Sequence, residues 1–501
     1  MDSNDQLLRH VITCKDEFFK RLNREEDIIF IFTHHDADGI ASGGLLARAF
    51  MRKNLPFQAR VVKYITPRSI HDAITNFESF KKKFFIFSDL GSGQLKFILN
   101  QFDIERVLVL DHHEIVEGKE SIPEKLLHVN PWMFGIDGAR DISATGVAYY
   151  FAKAISPENV DLAPLAIIGA LGDEQDVGEN SSIIGLNRKI LGDCKKQDLV
   201  RETVDIKISG RYTRPIHLAL SATSIPYLPG LSGDEKSCKR FLERLNIPVV
   251  NGNKGTVRTI SDLSKEEKSK LVSSIIEHAL KYGMKPNKIR QLIGNVYLLD
   301  AEAPNTCLRD MREYAALLNS CGRMGHGGIG LNIVVGDRGE FLLKGQKLVN
   351  EYTKRLANYM NWIFTTNALR KQENTIQVVD GNEYIEDTML TTLTLLLMSS
   401  RRVDKKLPIV GWTALREDDS VVKISARGFE NLVKQGLHLG QAFREIIKDI
   451  DVDSVPRGHA PAASVEIPRK KLEKFLRFLV RKTNAQINQG LKPLSNLSTW
   501  L

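Results

Sequence analysis

The run Thr33-His34-His35-Asp36-Ala37-Asp38-Gly39 sets imidazole and carboxylate groups directly after an apolar, strand-like segment. Two further apolar runs end the same way, in Ser88-Asp89-Leu90-Gly91 and in Leu110-Asp111-His112-His113. A fourth cluster, Gly172-Asp173-Glu174-Gln175-Asp176, follows an apolar helical stretch. One Asp-x-Asp-Gly alone is an ordinary turn with an Asx hydrogen bond, and one His-His pair is an ordinary exposed pair. Four such clusters, each beside the end of a predicted element, point instead to a metal centre. Mixed carboxylate and imidazole ligands suit Mn(II) or Mg(II), and imidazole tilts the choice toward manganese. Two such cations side by side neutralise a phosphodiester, acidify a bridging water and stabilise the leaving oxygen. A neighbouring carboxylate commonly orients a ligand imidazole, a role open to Asp111.

Those residues need a scaffold that delivers distant segments to one place. Residues 28–33, 59–65, 84–88, 107–110 and 127–129 form short apolar runs, alternating with helical patterns such as 40–52 and 70–80. That alternation predicts a parallel sheet with crossover helices on its faces. Such folds bind ligands where loops leave the carboxyl ends of the strands, and the first three clusters fall there. Helices are expected to continue through 144–155 and 162–171. Around Pro226, Pro229, Gly230, Ser232 and Gly233 the texture changes, before a charged helical stretch over 264–282. Residues 344–372 have helical periodicity without Pro or Gly after Gly345. Beyond them, 375–379, 408–412 and 421–425 resemble strands, separated by helical runs at 388–400 and 429–435. The predicted organisation is a catalytic domain over 1–194, an insertion region over 195–300 and a return to the catalytic lobe over 301–343. A connecting helix over 344–374 and a nucleic-acid-binding domain over 375–501 complete it. The fold class is α/β: a doubly wound parallel domain joined by a long helix to a smaller C-terminal α/β domain.

Composition agrees with a folded chain of two or three domains: 501 residues, 42% hydrophobic and 26% charged. Lys and Arg outnumber Asp and Glu by 70 to 61, a net +9 that suits a polyanionic partner. Cys14, Cys194, Cys238, Cys307 and Cys321 are scattered and form no Cys-x-x-Cys pair, which argues against a disulfide framework or a zinc site. The polar segment 1–15 is unlike a signal peptide, and no run of about 18 apolar residues exists to span a membrane. A cytoplasmic protein with no membrane association is expected.

Taken together, the motifs resemble those of the DHH phosphoesterase superfamily, whose triplet stands here as Asp111-His112-His113. The order matches as well: the 34–39 motif, lone Asp89, the triplet, then Asp173. Over nearly its full length the chain is similar to the archaeal RecJ-like single-strand nucleases, including the GINS-associated nuclease group. Supporting segments are His128-Val129-Asn130-Pro131, Gly135-Ile136-Asp137-Gly138, Gly210-Arg211-Tyr212-Thr213-Arg214-Pro215-Ile216-His217 and Leu318-Asn319-Ser320-Cys321-Gly322-Arg323-Met324-Gly325. The resemblance implies that His34 and Asp36 hold one ion, that Asp38, His112 and Asp173 hold the other, and that Asp89 bridges them. His113 would face the scissile phosphate, with Asp111 beside it in the catalytic group. In the C-terminal domain the resemblance implies that Ser425, Arg427, Gly458 and His459 grip the nucleotide next to the cut. Glycine there lets backbone N–H groups approach a phosphate, and arginine forks onto its oxygens. Arg457 and Ser464 depart from the family pattern, which carries glycine at both places.

The implied activity is metal-dependent exonuclease hydrolysis of single-stranded DNA and/or RNA in replication or repair, with GINS and the replicative helicase as protein partners. One competing reading is a non-catalytic or weakly catalytic replisome scaffold that binds GINS, like the eukaryotic helicase subunit of this superfamily whose metal motifs are eroded. Another is a phosphodiesterase of short oligonucleotides or cyclic dinucleotides. Intact motifs oppose the scaffold as sole function, and the long insertion favours longer strands. Basic clusters at 81–83, at Arg401, Arg402, Lys405 and Lys406, and at 469–471 either track a phosphate backbone or form solvated faces. Arg211 and Arg214 either clamp phosphate or pair with carboxylates. Trp132, Trp362 and Trp412 are expected in the core rather than on bases, and His217 and His326 in structural roles.

Overall fold

In the computed structural model, β1 (Asp27–His34) is Asp-Ile-Ile-Phe-Ile-Phe-Thr-His, buried along its whole length except at its last residue. β-Branched and aromatic side chains on both faces suit a strand covered on both sides. β2 (Phe57–Val62), β3 (Lys82–Ser88), β4 (Val107–Leu110) and β5 (Leu127–Val129) join it in parallel, in the order β2-β1-β3-β4-β5. The chain steps from β1 out to β2 and returns on the other side as β3, so the loops leaving β1 and β3 part and open a crevice.

Alternation along the strands feeds two cores. Ile29 and Ile31, with Phe84, Ile86, Leu108 and Leu110, pack against Leu7 and Phe18 of the helix Ser3–Arg21 and against the helices Ala37–Arg52, Ala144–Ile155 and Ala163–Gly172. Phe30, Phe32, Phe87 and Val109 face the other way, toward Ile65, Leu95 and Ile98. Each such side chain contributes ~1.5–3 kcal/mol relative to exposure. An antiparallel ribbon of β6 (Arg201–Ile206) and β7 (Ile293–Leu298) brackets a separate core that includes Leu220, Phe241, Leu271 and Ile275.

The structure describes residues 2–75, 82–115, 118–223, 226, 228–251, 255–400, 402–452, 454 and 456–490. The expected helix over 70–80 is seen as Pro67–Ile74, and residues 76–80 lie outside the described residues, as do Lys81 and Arg401 of the basic clusters. No described helix is long and apolar enough to cross a membrane.

Two compact units divide the chain, Met1–Asn350 and Glu351–Leu501. The second holds a six-stranded sheet of β8 (Leu369–Gln372), β9 (Ile376–Asp380), β10 (Ile409–Ala414), β11 (Val421–Arg427), β12 (Arg457–His459) and β13 (Ala462–Pro468), ordered β12-β13-β11-β10-β9-β8. All its pairings are antiparallel except β9 with β10. The single helix expected over 344–374 is corrected here: the helix is Glu340–Thr365, and residues 369–372 are β8. The physical reason is the turn that follows, where Glu373 and Asn374 both take φ of 48°. Two consecutive left-handed residues make the tight turn that suits a hairpin, and β8 folds back on β9.

Candidate metal centre

His34 ends β1, Asp89 follows β3 and His112 lies just past β4, so neighbouring strand ends bring these side chains to one edge of the sheet. Asp173 arrives as the residue that closes the helix Ala163–Gly172. His34, Asp36 and Asp89 form one group whose ligand atoms all lie within 4.8 Å of one another; Asp38, His112 and Asp173 form a second, and Asp89, His112 and His113 a third. Asp89 turns one oxygen to each side: Oδ2 is 3.4 Å from His34 Nδ1, and Oδ1 is 3.3 Å from His112 Nε2. His112 Nε2 also lies 3.3 Å from Asp173 Oδ2 and 3.9 Å from Asp38 Oδ2.

Asp36 is held within its own motif, whereas Asp38 and His112 are held by groups distant in the chain. Asp36 caps the helix Ala37–Arg52, its Oδ1 accepting from the Gly39 N–H (3.0 Å), while its Oδ2 meets His34 Nδ1 at 2.7 Å. Asp38 points at the start of the helix Ala144–Ile155, accepting from the N–H groups of Ala144 (2.7 Å) and Thr145 (3.0 Å) and from the Thr145 hydroxyl (2.6 Å). The positive end of a helix stabilises that buried carboxylate. Asp89 takes a left-handed φ of 60°, which Asp tolerates better than most residues, and its N–H donates to the Leu110 carbonyl (3.0 Å). His112 Nδ1–H donates to the Gly138 carbonyl (2.8 Å), which fixes the ring's orientation and aims Nε2 at the carboxylates. A side chain at 138 would begin 1.9 Å from the His112 carbonyl, so only glycine brings its backbone this close.

Asp111 therefore serves His113 rather than the ligand-type His112. Its Oδ1 meets His113 Nδ1 at 2.8 Å and accepts from the N–H of His112 (2.8 Å), while Oδ2 accepts from the Ser92 N–H (2.9 Å). His113 is exposed and Asp111 is buried, so the imidazole is anchored at Nδ1.

The electrostatics are those of negative charge crowded out of water. Burial, then the Asp89 charge, pushes the Asp38 carboxyl up to about 6, and burial with the Asp38 charge raises Asp173 well above the usual range. For His34, burial acts downward but Asp36 outweighs it, and the imidazole rises to about 10. His112 rises likewise, as Asp89 and Asp173 overcome its burial. Asp111 moves the other way, its burial offset by His113 and His112. Asp89 Oδ1 and Oδ2 and His112 Nε2 are buried with no hydrogen-bond partner among the described residues. Uncompensated buried polar atoms are costly, and divalent cations on the two sides of Asp89 would satisfy all three. Carboxylate oxygens and imidazole nitrogens are also the donor types that Mn(II) and Mg(II) accept, so the residues fit such ions.

Residues 28–170 match the DHH family, N-terminal domain, and residues 208–293 match the DHH-CID domain. An uncharacterized protein of Methanocaldococcus jannaschii is 30% identical over 450 residues, covering 90% of this chain and 91% of that protein. The chain belongs to the DHH family. Members of the DHH superfamily are phosphoesterases. Fold likeness extends to CDC45 from Entamoeba histolytica, with a TM-score of 0.62, 15% identity and coverage of 94% of this chain and 99% of that one. RecJ from Thermus thermophilus in complex with Mn2+ gives a TM-score of 0.53 at 14% identity over 95% of this chain and 55% of that one, so the chain spans about half of that protein. Exonuclease RecJ bound to manganese gives 0.51 at 14% identity, over 95% and 94% of the two chains. At such identities the likeness shows a shared, RecJ-like fold. The DHH-CID match falls inside the segment bracketed by β6 and β7.

In the second unit, register brings the remaining candidates of this DHH chain to one end of the sheet. Arg427 on β11 and His459 on β12 both pair with Ala462 on β13, and Ser425 and Arg457 both pair with Ser464. The two departures from the family pattern are thus cross-strand neighbours. Gly458 takes φ of 132°, and its carbonyl lies 2.5 Å from where a side chain at Gly440 would begin, so the start of the helix Leu439–Asp449 presses on it. Ser425 is buried, and its hydroxyl lies 3.3 Å from that of Thr394.

Other residues resolve differently. Arg211 is buried between Asp205 (3.4 Å) and Asp310 (3.3 Å), a structural pairing. Arg469 is bound to Asn382, and Arg402 lies over the Phe364 ring. Trp132 is not simply core: its indole N–H donates to the His112 carbonyl (2.9 Å). Sequence reasoning missed Thr145, Gln175 and Asn319 as holders of the centre. Gln175 was visible within the acidic cluster, but nothing in the cluster marks its amide as a donor to Gly138 (2.9 Å).

Proposed function

We propose that this DHH protein is a metal-dependent exonuclease that hydrolyses phosphodiester bonds of single-stranded DNA and/or RNA with two divalent ions, manganese preferred and magnesium as the alternative. The observation that carries this is the two-sided placement of Asp89, one oxygen toward His34 and the other toward His112. His34 and Asp36 would hold one ion, Asp38, His112 and Asp173 the other, with Asp89 between them. Bound there, such ions supply positive charge against the phosphodiester and activation of water at neutral pH. With Nδ1 held by Asp111, His113 would present its Nε2 to the scissile phosphate. Arg427, Gly458 and His459, with Ser425 behind them, grip the neighbouring nucleotide. The manganese named with the RecJ structures supports the choice of ion. DNA and RNA strands labelled at either end and incubated with and without manganese test the reading: stepwise loss of mononucleotides only with the ion is expected, and no release from any strand rejects it.

Fold likeness to CDC45 over nearly the whole of both chains favours a second, partner-binding role alongside catalysis. GINS and the replicative helicase are the partners we propose. Recovery of neither with the tagged protein from native extract would remove this part of the reading while leaving the enzyme intact.

A further inference from the structure

The second unit contains a concavity of about 550 Å³ that the proposed chemistry does not use, within the range of ordinary small-ligand sites. Trp362 and Thr366 from the helix Glu340–Thr365 and the turn after it, Arg370 of β8 and the segment 380–384 after β9 line it. Trp362 and Tyr384 stack with centroids 4.6 Å apart at 28°, and Tyr384 is 51% exposed although it is a large aromatic side chain. A half-open aromatic pair of this kind is a platform for a flat ring. Asp380 and Glu383 supply carboxylates beside the platform, and Arg370 supplies a cation.

The rim is fixed before any ligand arrives. Gly381 N–H donates to the Trp412 carbonyl (2.9 Å) and Ala414 N–H to the Asn382 carbonyl (2.9 Å). The Thr413 hydroxyl bonds the carbonyls of Asn382 and Ile385, and Arg469 donates to Asn382 Oδ1 (2.5 Å). A preorganised rim spares the entropy of ordering on binding.

We propose that this cavity is a guanine-binding site, with the base stacked on the exposed ring of Tyr384, which Trp362 backs, its N1–H and N2 amino group donated to the Asp380 carboxylate, and its phosphate drawn to Arg370. Guanine alone among the common bases offers two adjacent donors to one carboxylate. Adenine sets its acceptor N1 against it, and uracil flanks its single donor with two carbonyls. The proposal rests on the reading above only for its source: a guanine within a single strand or a free guanine nucleotide presents the same chemistry.

The test is titration of the full-length protein in EDTA with GMP and with AMP, followed by tryptophan fluorescence. GMP is expected to bind at least about tenfold tighter than AMP, the worth of one good bidentate contact. Asp380→Asn is expected to erase that preference and Tyr384→Ala to weaken both nucleotides, each variant keeping the parent's circular dichroism and unfolding midpoint. Equal affinities for GMP and AMP, no binding of either, or GMP affinity unchanged in both variants overturns the site. Given the GMP preference, tighter binding of oligo-dA carrying one dG than of plain oligo-dA assigns the cavity to a strand, and equal binding assigns it to the free nucleotide. EDTA removes catalysis from the readout, so failure here and failure of the nuclease reading appear in separate experiments.

Discussion

Asp89 sits in a left-handed backbone conformation with both carboxylate oxygens buried and unpaired by hydrogen bonds among the described residues. Asp89→Ala is expected to abolish manganese-dependent release of nucleotides, and unchanged turnover of the purified variant would reject the bridging assignment. One step out, the Gly138 carbonyl accepts from both His112 Nδ1 (2.8 Å) and the Gln175 amide (2.9 Å), and the Gln175 oxygen accepts from Asn187 (2.6 Å). Gln175→Met strands the Asn187 amide in the core and frees the carbonyl that aims His112. A loss of ~10–100-fold in manganese affinity is expected, and calorimetric affinity equal to the parent's would exclude that role. Protonation gives a third test. His34 is raised from 6.5 to about 10, so its pairing with Asp36 contributes stability fully below pH 6.5 and loses it as pH rises through 10. An ion entering between His34, Asp36 and Asp89 must expel that proton. Manganese affinity is therefore expected to fall as pH falls, with protons released on binding at pH 7. Titrations in two buffers of different ionisation enthalpy measure it, and zero release contradicts the His34 assignment. The ligand types were legible because acidic and imidazole residues recur at strand ends. Their holders were not, because Gly138 acts through a carbonyl and Ala144 through an N–H, and neither leaves a mark in residue identity.

At the level of elements, the helix Met311–Arg323 acts as a buttress for the metal-side loop. Asn319 Oδ1 accepts from the Ala37 N–H (3.1 Å), and a side chain at Gly322 would begin 1.5 Å from the His35 carbonyl. Gly322→Ala must push the helix or the 34–39 loop away, at ~1–3 kcal/mol by analogy with overpacked cores. Lower stability to urea together with weaker manganese binding is expected, and a stability loss with unchanged metal affinity would show that the helix supports the fold without shaping the centre. The segment Leu318–Gly325 was noticed as a motif, yet its meaning is a close approach between residues far apart in the chain. Strands β1, β3, β4 and β5 were legible because a strand buried on both faces is continuously apolar. The helix Ser3–Arg21 leaves a fainter trace, since only Leu7, Val11, Cys14 and Phe18 recur at helical spacing among mostly polar residues. β8 is hidden behind the preceding helix because Leu-Arg-Lys-Gln continues a helical composition, and only the short break at 366–368, with Asn367 at φ of 52°, separates the two.

For the molecule as a whole, every residue assigned to an ion lies in the unit Met1–Asn350, and every residue assigned to gripping the nucleotide lies in Glu351–Leu501. The second lobe was legible from the renewed alternation of strand and helix patterns beyond 375, but the division falls within the helix Glu340–Thr365, where periodicity gives no sign of a boundary. Partition of function predicts partition of stability. A ligand that binds only folded protein stabilises what it binds, by ~2.7 kcal/mol at one hundred times its dissociation constant. Scanning calorimetry of the full chain is expected to resolve two transitions, and saturating manganese is expected to raise one by roughly 5 °C and leave the other in place. Asp89→Ala should hold both transitions still on addition of the ion. If manganese moves both transitions equally in the parent protein, the ions are not the property of the first unit alone, and the assignment of all ligands to the edge of the parallel sheet fails.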